Sequence, residues 1–166
     1  WTPSDLYDFI TISHQPSAIS HQPYAIGKYP VNNLQYARFL AAPDYADADI
    51  WRAVIAFDEK GEPLKDAGEE AWAWFQENGG KECKPTRWND PRLGASRRLF
   101  PVVGVTWYEA AAYCVWLQRH WAEYQTSNFK FQTSNFQIRL PTESEWVMAA
   151  GGEGGGKEKV RYAWQD

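Results

Sequence analysis

Hydrophobic and polar positions follow two different periods along this chain, and the switches between them mark its elements. Ile10-Thr11-Ile12 alternates as a strand does, and Tyr24-Ala25-Ile26-Gly27-Lys28-Tyr29 reads as a second strand, closed by Pro30. The period then lengthens. Asn32 and Gln35 stand at capping-box spacing, and Leu34, Ala37, Leu40 and Ala41, helped by Phe39, are the expected buried stripe of a helix that Pro43 stops. Trp51-Arg52-Ala53-Val54-Ile55-Ala56-Phe57 predicts a short strand, with Asp58-Glu59-Lys60-Gly61 as the turn after it. Ala67 to Glu77 predicts a short helix with Trp72 and Phe75 on one face, ended by Gly79-Gly80. From Lys81 to Arg98 the chain is basic, prolyl and loop-like, and Trp88-Asn89-Asp90-Pro91 reads as a turn with an anchoring ring.

Phe100 to Gly152 carries the strongest signals. Thr106-Trp107-Tyr108-Glu109 and Thr142-Glu143-Ser144-Glu145 share one grammar, a threonine followed by a glutamate at capping-box spacing. In such a box the hydroxyl accepts from the backbone N–H of the glutamate, whose carboxylate reaches back to the cap's own N–H. Helices are therefore predicted from residue 107 to 121 and onward from residue 143. Tyr162-Ala163-Trp164, within the run from Val160, reads as a closing strand.

Two tandem duplications interrupt the periodicity. Ile12-Ser13-His14-Gln15-Pro16-Ser17-Ala18 returns as Ile19-Ser20-His21-Gln22-Pro23-Tyr24-Ala25, so the first spans residues 12–25. Gln125-Thr126-Ser127-Asn128-Phe129 returns as Gln132-Thr133-Ser134-Asn135-Phe136, so the second lies within residues 125–136. Pro16 and Pro23 would break any helix carrying the first. Both duplications run into a strand-like segment, at Ile26 and Ile138, and read as expansions of tolerant loops. The aromatic and amide content of the second copy also leaves an edge-strand pairing surface open.

Composition changes this picture modestly. The chain has 166 residues, 44% of them hydrophobic, enough for one domain with a real core over residues 1–166, complete or cut short. Aromatic residues make up 16% of it, with ten tryptophans, which fit either core layers of large rings or a surface that stacks flat ligands. A net charge of −4 gives no footprint for a nucleic-acid backbone, so no nucleic-acid partner is expected. No apolar run approaches the roughly 20 residues needed to span a bilayer, so no membrane partner is expected either. The compartment stays open, with a slight lean toward the cytoplasm.

The residues that could carry chemistry are few. Cys83, in a polar loop, and Cys114, on a helix, read as independent thiols, although one bridge or a reactive thiol stays open. His14 and His21 occupy equivalent copies but lack a third ligand nearby. Asp44, Asp47 and Asp49 alternate as in a calcium loop, yet the turn glycine and distal glutamate are missing, so a solvated acidic loop is expected. Gly151 to Lys157 mimics a phosphate loop, but Glu158 stands where a serine or threonine must hold magnesium, and a helix precedes it instead of a strand.

Four motifs in order carry a family resemblance: Ile26-Gly27-Lys28-Tyr29-Pro30-Val31-Asn32-Asn33; Pro101-Val102-Val103-Gly104-Val105-Thr106-Trp107 with Ala111-Ala112-Tyr113-Cys114; Arg139-Leu140-Pro141-Thr142-Glu143-Ser144-Glu145-Trp146; and Tyr162-Ala163-Trp164. The chain resembles the formylglycine-generating-enzyme (sulfatase-modifying-factor) domain family over most of residues 24–166. The resemblance implies an α+β, C-type-lectin-like fold with mixed short strands, two or three helices and much irregular structure. It implies scaffold roles for Asn32, Thr106, Glu109, Arg139, Thr142, Glu145 and Trp146. The family's founding enzymes oxidise a substrate-protein cysteine to formylglycine with O2 and a copper ion held by two cysteines. Other members use iron, or bind ligands without chemistry, as in the variable proteins of diversity-generating retroelements.

The family's catalytic cysteines and calcium ligands lie in a later half, beyond the motifs present up to Asp166. Cys114 matches a helix cysteine that is structural in animal members, and its partner there would fall near Ala149 or Ala150. No catalytic, cofactor-binding or metal residue is therefore assigned, and no cofactor is expected in this chain, although complete members hold copper and calcium. Two readings follow. One is a non-catalytic module that binds a protein or small-molecule ligand, or scaffolds a larger assembly. The other is the N-terminal part of a formylglycine-generating oxidase, whose partners would be a sulfatase-type peptide and a missing C-terminal half.

Overall fold

The computed structural model describes residues 7, 9–12, 24–58, 62–124 and 136–151. Its spine is helix α4, Trp107–Arg119, because the small side chains of Ala111 and Ala112 let other elements approach while Tyr113, Trp116 and Leu117 fill the space beside them. Helices α1 (Asn33–Ala41), α2 (Ala48–Arg52) and α3 (Ala67–Glu77) all pack on α4, and α2 and α3 pack on each other. Helix α5 (Trp121–Tyr124) continues from α4, and α6 (Glu143–Gly151) follows a run without regular secondary structure. Strands β1 (Phe9–Ile12) and β2 (Tyr24–Gly27) pair antiparallel, with Phe9 opposite Gly27 and Ile12 opposite Tyr24. The architecture is α+β, as the sequence indicates. Among the described residues, no helix is long and apolar enough to cross a membrane.

The aromatic residues settle into the core. Phe39 meets Tyr36, Tyr45, Tyr113 and Trp116 at centroid distances of 5.6, 4.9, 5.7 and 5.5 Å, and Trp51 stacks on Phe75 at 4.1 Å. Each such pair contributes roughly 0.5–1.5 kcal/mol beyond the area it buries. A core of rings in mutual contact gives the high tryptophan content a packing role.

Three expectations change. Residues 51–57 do not form a strand: Asp47 caps α2 by accepting from the Asp49 N–H, and Ile50 and Trp51 are fully buried. Only Phe57 keeps extended pairing, an isolated bridge to Pro63. Helix 107–121 breaks at His120, which separates α4 from α5. On α1 the buried face is Asn33, Gln35, Tyr36 and Phe39; Leu34, Ala37 and Leu40 are only half-buried and Ala41 is exposed. The polar pair is buried because Gln35 closes the cap while Asn33 anchors a loop, uses that apolarity alone does not reveal.

The remaining boundaries follow the sequence closely. All three capping boxes form. Helix α3 ends at Gly79, whose φ of 102° is open to glycine and strained for other residues. Ile138 begins no strand among the described residues: the run to Pro141 has no regular secondary structure, and the Ile138 N–H donates to Gln118 Oε1 at 2.7 Å. Most of both duplications, with His14 and His21, lies outside the described residues, as do residues 152–166 with the glycine-rich tail and the segment read as a closing strand.

Candidate functional site

Cys83 and Cys114 occupy separate environments. Cys83, read as part of a polar loop, is buried against the N-terminus of α4, where its Sγ makes a long contact of 3.9 Å to Glu109 Oε1. The Tyr45 hydroxyl donates to the Cys83 carbonyl at 2.7 Å. The other Glu109 oxygen accepts from the Thr106 N–H at 2.7 Å and from its hydroxyl at 3.0 Å, completing the capping box. Burial, and then the Glu109 charge, push the Cys83 thiol up to about 11. Among the described residues the fully buried Tyr36 hydroxyl has no hydrogen-bond partner, and burial followed by the same carboxylate holds its pKa well above the ordinary value.

Cys114 lies on another face of α4, in a cavity of about 30 Å³ walled by Ala53, Ile55, Ala111, Ile138 and Leu140. That space holds on the order of one water molecule. Burial alone pushes this thiol up to about 12. Both cysteines are free. A thiolate is the nucleophile and the soft metal ligand, and neither environment favours one.

The acidic residues are likewise engaged. Asp47 caps α2, and Asp44 Oδ2 lies 2.9 Å from His120 Nε2, whose Nδ1 contacts Glu123 Oε1 at 2.9 Å. Arg119 reaches Asp44 at 3.6 Å and Asp47 at 3.4 Å. The acidic loop is thus tied to the end of α4 by cations. Among the described residues, no three histidine, cysteine, aspartate or glutamate side chains gather as a metal site.

At α6, Arg139 grips Glu145 through two contacts of 2.7 Å and lies 5.1 Å from the Phe57 ring centre. Glu145 also accepts from the Thr142 N–H at 2.8 Å. Burial pushes its carboxyl upward, but the Arg139 guanidinium and Thr142 outweigh that, so it titrates below its ordinary value. Asn32, Thr106, Glu109, Arg139, Thr142 and Glu145 all perform structural work. Trp146 does not share it: the residue is 58% exposed, while the Tyr24 hydroxyl donates to the neighbouring Glu145 carbonyl.

Sequence reasoning missed the Cys83–Glu109 contact. The capping box announced the glutamate, but nothing local announced that a distant loop would fold over it.

The capping boxes, the aromatic core and the Arg139–Glu145 clamp together define an α+β scaffold built around caps. The profile described as the Sulfatase-modifying factor enzyme 1-like domain matches residues 10–166, and the chain belongs to that family. The α+β architecture is consistent with the family's C-type-lectin-like fold. A formylglycine-generating enzyme of Thermomonospora curvata is 33% identical over 141 residues, a match covering 82% of this chain. The chain spans 39% of that relative's length. No solved structure matches.

Proposed function

We propose that this sulfatase-modifying-factor-like domain serves as a non-catalytic module that binds a protein or small-molecule ligand. The observation that supports it most is the placement of its two thiols. Copper oxidation of a cysteine needs two soft sulfur ligands converging on one Cu(I) ion. Here Cys83 faces Glu109, while Cys114 lines a separate small cavity, and burial keeps both protonated near neutral pH. The residues of this chain therefore do not fit a copper ion, and no oxidative step is derived through one. Calcium fits no better, since Asp44 and Asp47 are already committed to His120, Arg119 and the α2 cap.

The identity to the Thermomonospora curvata enzyme favours a second reading. In it, the chain is the N-terminal part of an oxidase that converts a substrate-protein cysteine to formylglycine, with copper ligands supplied from outside these residues. Titration with Cu(I) against a competing colorimetric chelator tests the first reading, and formylglycine formation in a cysteine peptide when this chain is mixed with the C-terminal part of the Thermomonospora curvata enzyme tests the second. The chelator is expected to retain the copper; stoichiometric transfer to this chain overturns the binding-module reading.

A further inference from the structure

We propose that the turn-rich segment from Lys84 to Phe100 is a preorganised docking surface for an acidic, apolar peptide segment of a partner protein. This names a partner class for the binding-module reading and rests on it, but on separate observations.

Charge is the first. In a chain of net charge −4, residues 81–98 hold six of the 17 lysines and arginines against only Glu82 and Asp90. Lys84, Arg87, Arg97 and Arg98 are exposed, and among the described residues none makes a close ion pair, although Arg87 is near enough to Asp90 to help lower its pKa. Arg92 differs, leaning on Asp90 at 3.8 Å. Elsewhere Arg52, Arg119 and Arg139 each find an acid. A concentration of unpaired cations on an acidic protein is a local field that attracts acidic groups.

Apolar exposure is the second. Leu93, Leu99 and Phe100 are 40%, 56% and 49% exposed within the same segment, and the Arg97 guanidinium lies 5.9 Å from the Phe100 ring centre. Aliphatic side chains among cations suit a peptide that alternates acids with leucine-like residues. They give nothing to a phosphodiester backbone, whose charged edge offers no apolar groups to match them.

Rigidity is the third. The Asn33 amide donates to the carbonyls of Leu93, Gly94 and Arg97 at 2.9, 2.9 and 3.0 Å. The first backbone N–H groups of α1 also bind the segment, Asn33 to the Phe100 carbonyl at 2.9 Å and Leu34 to the Arg98 carbonyl at 2.8 Å. Ala95 closes the turn onto the Trp88 carbonyl at 2.8 Å, and the Trp88 ring packs on Tyr36. A helix N-terminus thus holds an irregular loop in one shape, so little conformational entropy remains to be lost on binding.

The test is fluorescence anisotropy with a fluorescein-labelled peptide in which glutamates alternate with leucine and phenylalanine. Saturable binding that weakens with added salt is expected. The double variant Arg87→Glu/Arg98→Glu should bind about tenfold more weakly, since each change replaces attraction with repulsion. Leu99→Ser should weaken binding as well, whereas Lys65→Glu, at an exposed site outside the segment, should not. Absence of saturable binding, or binding indifferent to Arg87, Arg98 and Leu99, overturns the proposal. So does tighter binding of an oligouridylate, which assigns the surface to nucleic acid. Self-association on sedimentation that Arg98→Glu abolishes also overturns it, assigning the surface to a second copy. The copper titration is independent of all these outcomes, so failure of the peptide leaves the binding-module reading standing.

Discussion

Thr142 shows how much one hydroxyl does in this chain. Its Oγ1 accepts from the Glu145 N–H at 3.3 Å while its own N–H donates to the Glu145 carboxylate at 2.8 Å, so cap and clamp share one acid. Thr142→Ala should lower stability by about 1 kcal/mol through the lost cap, read as a fall in Tm. Arg139→Ala should cost more, on the order of 3 kcal/mol, because it leaves a buried carboxylate without its cation. The pH dependence follows in sign. Glu145 titrates below its unfolded value, which is about 4.3, so its contribution is complete above that unfolded value and is lost as pH falls through the folded pKa. Glu145→Gln should therefore flatten the acid limb of a plot of Tm against pH. His120 behaves oppositely. Its hydrogen bonds to Glu123 and then Asp44 raise its pKa, so its contribution is present below about 6.5 and is lost as pH rises through the folded value. In His120→Gln the neutral-to-alkaline decline in Tm should disappear.

Elements meet closely where a side chain is missing. A Cβ on Gly68, in the first turn of α3, would collide with the Arg52 carbonyl at the end of α2. Gly68→Ala should push the two helices apart and cost about 1–3 kcal/mol, the usual effect of overpacking, measurable by urea denaturation. A cost under a few tenths of a kcal/mol would mean that α2 and α3 are not held at this distance. Element boundaries were largely legible because caps are local. A helix needs donors and acceptors satisfied at its ends, and residues three apart in the sequence supply them. Residues 48–52 show where this fails. Asp47 is a single-residue cap without a glutamate to complete a box, and the apolar run after it fits a strand or a short helix equally well.

The described residues build a ring-filled core with two thiols in different places, Cys83 buried and Cys114 half-buried beside a small cavity. Native protein should therefore react slowly with a thiol-specific disulfide reagent, and denaturation should release two fast-reacting thiols. Rapid modification of either cysteine in the native state would contradict the burial that sets their pKa values. The site was less legible than the fold because it depends on distance across the chain. Cys83 reads as a residue of a polar loop until that loop is seen folded over Glu109. Trp146 belongs to the most recognisable motif, yet most of its ring faces outward. Family resemblance names the residues that recur, whereas exposure depends on what packs above them.

By itself the sequence determined the family, the three capped helix starts, the helix over Ala67–Glu77 and the location of the excess cations. Each rests on residues close in the chain, whose hydrogen bonds and charges need no distant partner. Only the tertiary structure decided that residues 48–52 are a helix burying Ile50 and Trp51 and that Asn33 ties the basic loop to α1. It alone put Cys83 and Cys114 in separate compartments. Those outcomes turn on which surfaces exclude water together, and that is set by packing among segments far apart in sequence.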